Sequence, residues 1–513
     1  MTDLQSPAVA DGAQGPTAGA QGPVRPTESP VVRKPDSARS WILLAVTVLV
    51  VVGSGVAMFL PLVPQAIGGF ACLMMLALIF MRMPVAMAML VPSLLGMYAL
   101  RGSLLVESQL ATLPYIQVAS WTLSVIPMFI LMGLLLWRAG LTESLYVAGR
   151  HWLGWMPGGL AVGTNVAGAG LASVSGSSVG TTYALARIGI PEMLKAGYDK
   201  RLAIGAVVVA GLPGQLIPPS IMLVIYAGIA EVPIGPQLLA GIGPGILVAV
   251  LFSIMIVLFS LRWARTQPEA AAAAAAAPVG ARERVMSLVR IWPIPVIVAV
   301  IVVGTFAGFF TATEAGAVAA VVSLLVTVVW RARSGPWRAV AEASMATVSS
   351  VGAIFLMLIG VEALSRMFSL TGISTGFADV VQGMDLGRVE FLLLMTLVYI
   401  VLGTFMEPLP MLMLTVPILL PTLAALDISL LWYGVFAVFM GELAVVTPPV
   451  GILAFIIHSI TREPEVNQGQ KITLGDVFAA VWWFMPMAIV VTLVLIFFPE
   501  IATAIPDMAG GGS

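Results

Sequence analysis

Two proline pairs, Pro218-Pro219 and Pro448-Pro449, lie inside apolar segments long enough to cross a bilayer. Proline has no N–H to give and its ring clashes with the preceding turn, so each pair breaks its helix. Broken backbone at membrane depth survives only where it is buried in protein or lines a cavity. The two pairs are 230 positions apart, which suggests one site built twice.

Composition supports a membrane setting. The 513 residues are 59% hydrophobic and 10% charged, against roughly 25% charged in soluble domains. The net charge of −1 gives no basic field for nucleic acid. A single cysteine, Cys72, excludes an intramolecular disulfide and any multi-cysteine metal site, and reads as a small core residue. The two histidines, His151 and His458, read as interfacial. Residues 1–40 are rich in Pro, Ala, Gly and polar side chains, too poor in large apolar residues to build a core, and are expected to be disordered. Four basic residues there precede a span of full membrane length with no clear cleavage site, which argues against a signal peptide.

A spanning helix needs about 20 apolar residues. Residues 41–62 meet that length and form an extra first helix. Residues 67–261 form one repeat and 291–498 a second, joined by a basic linker over 262–290 that holds an alanine run, read as a helical or flexible spacer; residues 499–513 are a tail. In the first repeat, apolar tracts 70–81 and 85–100 flank Arg82-Met83-Pro84, and 119–137 crosses next. An amphipathic interfacial piece covers 138–155. Residues 158–190 are apolar but dense in Gly and Ser, and 33 residues are too few for two spans, so they read as a re-entrant hairpin with a polar tip. A polar loop over 191–201 follows, then a broken crossing over 202–228 and a return over 238–261. The second half repeats the plan: 292–310 and 315–330, a crossing over 348–368, a mixed piece over 369–388, a hairpin over 391–420, a broken crossing over 431–457 and a last span over 477–498.

Shifting the chain by 230 brings Pro191 onto Pro421, Gly211 onto Gly441, Pro84 onto Glu314 and Ser177 onto Glu407. Cytoplasmic loops collect Lys and Arg. Residues 191–201 hold three basic residues and 421–431 none; the linker holds five and the tail none. Arg331, Arg333 and Arg338 stand against Arg101 alone, and Arg462 and Lys471 against none in 228–237. The basic loops alternate between halves, so the repeats read as inverted. The implied topology is a cytoplasmic N-terminus, eleven crossings, two hairpins entering from opposite sides and an external C-terminus. Inverted repeats with discontinuous helices and a midplane site are the plan of secondary transporters.

Each hairpin tip is expected near the broken crossing of its own half, where freed carbonyls and hydroxyls can replace the water shell of a small cation. A first site for a hard monovalent cation would use Ser175, Ser177, Ser178 and carbonyls near Gly211, Gly214 and Ile217; a second Thr404, Glu407, Thr447 and carbonyls near Gly441 and Val446. The alternative for such small-residue runs is close helix packing. Arg187 either snorkels to the cytoplasmic surface or meets a substrate carboxylate; Arg366 either pairs with Glu362 one turn away or steers an anionic substrate. Glu314 and Glu442 read as structural acceptors for freed N–H groups. No G-x-x-x-x-G-K-[ST] loop is present, and no nucleophile–base or multi-residue metal set points to an enzyme. No cofactor is implied, and coupling would come from an ion gradient or a partner.

Together these motifs resemble the large membrane subunit of tripartite ATP-independent periplasmic (TRAP) transporters. The resemblance rests on Arg82-Met83-Pro84-Val85-Ala86, Ile126-Pro127-Met128-Phe129, Ser175-Gly176-Ser177-Ser178-Val179, the run Arg187 to Met193, Gly197-Tyr198-Asp199, Ile217-Pro218-Pro219-Ser220, Thr311 to Ala315 and Thr447-Pro448-Pro449-Val450-Gly451, over about residues 67–498. It implies an all-α, elevator-type, sodium-coupled importer of organic acids in the bacterial inner membrane. It also implies two partners, a small four-helix membrane subunit and a periplasmic substrate-binding protein. The family commonly carries Asp at the second hairpin tip, where this chain has Glu407. The N-terminal tail and extra helix depart from the family pattern. A stand-alone sodium/dicarboxylate symporter of related architecture is the alternative reading.

Overall fold

The computed structural model describes residues 38–266, 279–448 and 451–510. The N-terminal tail to residue 37, expected to be disordered, the alanine run, read as a spacer, and the Pro449-Val450 pair lie outside the described residues. Two compact units divide the chain, residues 1–46 and 47–513. Only the start of helix α1 (Ala38–Ala57) falls in the first; all other described residues belong to the second.

The described residues of this second unit are helices and turns. Its first half runs α2 (Pro64–Phe80), α3 (Val85–Arg101), α4 (Ser103–Val118), α5 (Val125–Arg138), α6 (Leu141–Leu153), α7 (Gly159–Ser175), α8 (Ser178–Lys195), α9 (Lys200–Val209), α10 (Ile221–Ile229), α11 (Ile234–Ala240) and α12 (Ile242–Thr266). After the linker come α13 (Ala281–Arg290), α14 (Pro293–Phe306), α15 (Ala312–Trp330), α16 (Pro336–Thr371), α17 (Ile373–Gly383), α18 (Arg388–Gly403), α19 (Pro408–Ala425), α20 (Leu430–Val446), α21 (Ile452–Ile460), α22 (Pro464–Asn467), α23 (Leu474–Phe497) and α24 (Glu500–Met508).

Local chemistry sets the starts. Asp199 caps α9 by accepting from Arg201 and Leu202 N–H, and Ser429 caps α20 through Trp432 N–H; such side-chain caps satisfy N–H groups that have no helical partner. Thr311 and Glu314 form a reciprocal capping box on α15, and Thr473 and Asp476 form one on α23. Lys200 at the start of α9 also pairs with Asp476 at 2.9 Å, which ties the two starts together.

The offset of 230 recurs in the helices. α8 and α19 start at Ser178 and Pro408 and end at Lys195 and Ala425; α9 and α20 start at Lys200 and Leu430. The turns between them share a left-handed residue at matched places, Gly197 (φ 83°) and Asp427 (φ 51°).

Several expected boundaries shift. α8 carries Pro191 inside it and ends at Lys195, so the polar loop shortens to the turn before α9. α12 runs on to Thr266 and α13 makes the end of the linker helical. The crossing expected at 348–368 is part of a 36-residue helix, α16. α17 and α24 give helical form to the mixed piece and to the tail. α4 answers no expectation, because Glu107, Gln109 and Gln117 dilute its apolar run. Among described residues five helical stretches are individually long and apolar enough to cross a membrane, and two bent pairs bring the number to seven.

Burial sorts the helices into an inner and an outer set. Every residue of α20 from Trp432 to Val446 is buried, and α7 and α9 are nearly so. α15 and α16 expose Val321, Leu325, Val329, Met345 and Val348. An apolar outer face around an inner core holding Gln215, Asn165 and Glu442 is what lipid as solvent demands.

Candidate functional site: two hairpin tips against two broken crossings

The first hairpin is α7 and α8, which turn at Gly176 and Ser177. Gly176 sits at φ 65°, a left-handed conformation that glycine adopts without a Cβ penalty. Ser177 caps α8 by accepting from Gly180 N–H at 3.0 Å. The hydroxyls of Ser175 and Thr181 lie 3.2 Å apart.

The crossing that follows is interrupted between α9 and α10. A short 3-10 turn (Pro213–Gln215) precedes a cis Pro218–Pro219 bond, and Ser220 restarts the helix by capping Leu223 N–H at 3.2 Å. No hydrogen bond among the described residues ends on the carbonyls of Gly211, Gly214 or Ile217. Gly211 lies against the tip: a Cβ there would stand 3.3 Å from Ser178 Cα. Gly214 lies against α7, where a Cβ would stand 2.8 Å from Ser173 N. Ile217 turns its side chain to the other side, into an apolar groove with Ile246 and Val250 of α12.

Gln215, fully buried, joins tip and break. Its side-chain carbonyl accepts from Ser178 N–H at 2.9 Å and from Ser177 N–H at 3.2 Å, in the amide orientation that gives both groups partners. The Ser220 hydroxyl donates to the Gln215 backbone carbonyl. Sequence reasoning does not reach Gln215 or Thr181. The available signal for Gln215 is a lone amide in an otherwise apolar stretch beside Pro213-Gly214.

The second hairpin repeats these contacts. Moved on by 230 positions, the pairs Ser173–Gly214 and Ser178–Gly211 become Gly403–Ala444 and Pro408–Gly441. A Cβ on Gly403 would stand 3.0 Å from Ala444 Cα, and one on Gly441 would stand 3.1 Å from Pro408 Cβ. Exposed Glu407 is the N-cap residue of α19 but makes no side-chain cap bond. Thr404 and Thr447 donate their hydroxyl protons to Val401 O and Leu443 O, both at 2.7 Å, which leaves oxygen lone pairs free. α20 ends at Val446, just before Pro448.

Remaining charges fall in different places. Glu314 accepts from Thr311 N–H at 2.8 Å, the structural role expected of it. Glu442 does not share that role: it is fully buried and neither carboxyl oxygen has a hydrogen-bond partner among the described residues, because α20 is unbroken there and its N–H groups are spent on the helix. Arg366 pairs with Glu362 at 2.8 Å and donates to Gln109 Oε1 at 2.6 Å, which ties α16 to α4. Arg187 pairs with Glu463 at 2.6 Å and lies over the Tyr183 ring. That ring helps line a cavity of about 630 Å³ beside the first tip, together with Ser175, Ser177, Thr181, Trp137 and Ser459.

A profile of the family described as "Tripartite ATP-independent periplasmic transporter, DctM component" matches residues 72–501. The chain is 31% identical over 397 residues to a C4-dicarboxylate TRAP transporter large permease of Pseudomonas aeruginosa, covering 76% of this chain and 87% of that one. It is 29% identical over 391 residues to a sialic acid TRAP transporter large permease of Vibrio cholerae, covering 76% and 87%. An ectoine TRAP transporter large permease of Halomonas elongata matches at 27% over 440 residues, covering 85% and 98%. The fold is similar to the crystal structure of the YdaH transporter of Alcanivorax borkumensis, with a TM-score of 0.56 at 16% identity over 77% of this chain and 89% of that one. With hairpins and broken crossings lying within the matched residues 72–501, the chain belongs to the DctM-component family of TRAP transporters and is a multi-pass membrane permease.

Proposed function

We propose that this chain is the large permease of a sodium-coupled importer of organic acids in the bacterial inner membrane. A periplasmic binding protein delivers the carboxylate, and a small four-helix membrane subunit completes the complex. The relatives' substrates support the substrate class: C4-dicarboxylates, sialic acid and ectoine all carry a carboxylate. The observation that carries the sodium reading is the contact of each hairpin tip with the broken crossing of its own half: Ser178 meets the break at Gly211, and Pro408 meets α20 at Gly441, ahead of that helix's end at Val446. Carbonyls without donors at Gly211, Gly214 and Ile217 and the hydroxyls of Ser175, Ser177 and Ser178 suit a hard monovalent cation. Thr404, Thr447, Glu407 and carbonyls near Gly441 and Val446 form the matching set. Two inverted repeats, with the N-terminus cytoplasmic and the C-terminus periplasmic, would let the two hairpins move as an elevator between faces of the membrane.

Uptake into proteoliposomes, with the binding protein present and a sodium gradient imposed, tests this. Glu407→Ala, and Ser177→Ala combined with Ser178→Ala, are expected to abolish sodium-driven uptake while the protein still melts cooperatively. Unchanged sodium dependence in either variant would remove the site assignment. Uptake without any binding protein would favour the stand-alone symporter.

A further inference from the structure

The cavity beside the first hairpin tip is lined by α5, α7, α8 and α21, and two of its walls lead to one ion pair. One is α8, through Val179, Thr181 and Tyr183; the other is α21, through Ile456, Ser459 and Ile460. Ser175 and Ser177 mark the end at the tip. On α8 the last lining residue is Ala184, and Arg187 comes three residues later. On the other wall the last is Ile460, and Glu463 comes three residues later. These two side chains meet at 2.6 Å. Arg187 stands nine residues beyond Ser178, about 14 Å along the helix. The ion pair therefore joins α8 to the turn that follows α21, just beyond the end of the cavity away from the tip.

Three features suit this pair to opening. Both side chains are partly exposed, at 46% and 41%, and exposed pairs of this kind contribute little to stability. The Arg187 guanidinium lies 5.0 Å from the centre of the Tyr183 ring, which lines the cavity, so the ring keeps the cation beside the cavity when Glu463 leaves. The next carboxylate along α8, Glu192, is held by Arg150 at 2.8 Å and does not compete for Arg187. A freed guanidinium presents a planar fork of donors that matches a carboxylate.

From this geometry we propose that Arg187 and Glu463 form a clasp across the end of the cavity, and that a short dicarboxylate opens it by taking the place of Glu463 on Arg187. The choice of a carboxylate rests on the proposed transport of organic acids; the clasp itself does not.

Dipolar EPR on the full chain in lipid nanodiscs tests both parts. Lys195 at the end of α8 and Glu465 in α22 are exposed, and Cys72→Ser frees the chain of its own thiol. Spin labels on Lys195→Cys and Glu465→Cys then report the gap between the walls. With the clasp intact a single short distance is expected, and millimolar succinate should add a longer one. Glu463→Gln should show the longer distance without succinate. The reversed pair, Arg187→Glu with Glu463→Arg, should restore the short distance and no longer respond to succinate. An unchanged distance in Glu463→Gln, or no recovery in a reversed pair that melts cooperatively, overturns the clasp. No succinate response with the clasp intact overturns the exchange. A succinate response together with no uptake by proteoliposomes counts against the transport reading and not against the clasp.

Discussion

Gly211 and Gly214 are three residues apart in the same break, yet they meet the first hairpin differently. A Cβ on Gly214 would stand 2.5 Å from Ala172 Cβ and 2.8 Å from Ser173 N, so the clash is with an adjoining helix and its backbone. A Cβ on Gly211 would stand 3.3 Å from Ser178, a gap that a small shift of the tip can absorb. Gly214→Ala is therefore expected to lose about 2–3 kcal/mol of stability by overpacking, seen as a lower melting temperature in detergent. Gly211→Ala should melt near the wild type but displace Ser178, and so weaken the sodium dependence of uptake. Equal melting of the two variants would contradict this division. The glycines and prolines of the break are legible in the sequence because their effect is local to the backbone. Gln215 is not, because it reaches the Ser177 and Ser178 N–H groups from 37 residues away in the chain. The partner of Arg187 is hidden for the same reason, since Glu463 lies 276 residues further on. The isolation of Glu442 shows only in the folded core, where no donor among the described residues reaches its oxygens.

At the scale of elements, α4 and α16 explain what Arg366 does. Its guanidinium spans Glu362 on its own helix and Gln109 on α4, two acceptors with no other side-chain donor among the described residues. Arg366→Ala should leave the buried Gln109 oxygen without its partner and cost about 1 kcal/mol, read from thermal melting. The apparent KM for substrate should stay as it was. A raised KM with unchanged melting would return Arg366 to the substrate. The pairing is legible from the spacing of Glu362 and Arg366; its third member is not, because the polar residues of α4 hide that helix. Hairpins are the opposite case. Gly and Ser density reveals the first, short apolar length and the echo at 230 reveal the second, and α8 and α19 start and stop at places offset by 230.

Across the whole molecule, that offset is the strongest sign that one half was built on the plan of the other. The turns after α8 and α19 match down to the left-handed Gly197 and Asp427. Matching helices alone do not say whether the halves lie parallel or inverted. Charge argues for inversion: Lys195, Lys200 and Arg201 surround the first turn, and no basic residue surrounds the second. Because Lys and Arg are retained on the cytoplasmic side, the two turns should face opposite sides of the membrane. Cys72 is the chain's single cysteine, so Cys72→Ser gives a clean background. Lys195 and Ala425 are exposed and occupy equivalent helix ends. A membrane-impermeant maleimide added to intact spheroplasts should label Ala425→Cys and spare Lys195→Cys, and inside-out vesicles should give the reverse. Labelling of both positions from one side would make the repeats parallel. Both hairpins would then enter from one face, and the pairing of tips and breaks could no longer offer one site to each side of the membrane in turn.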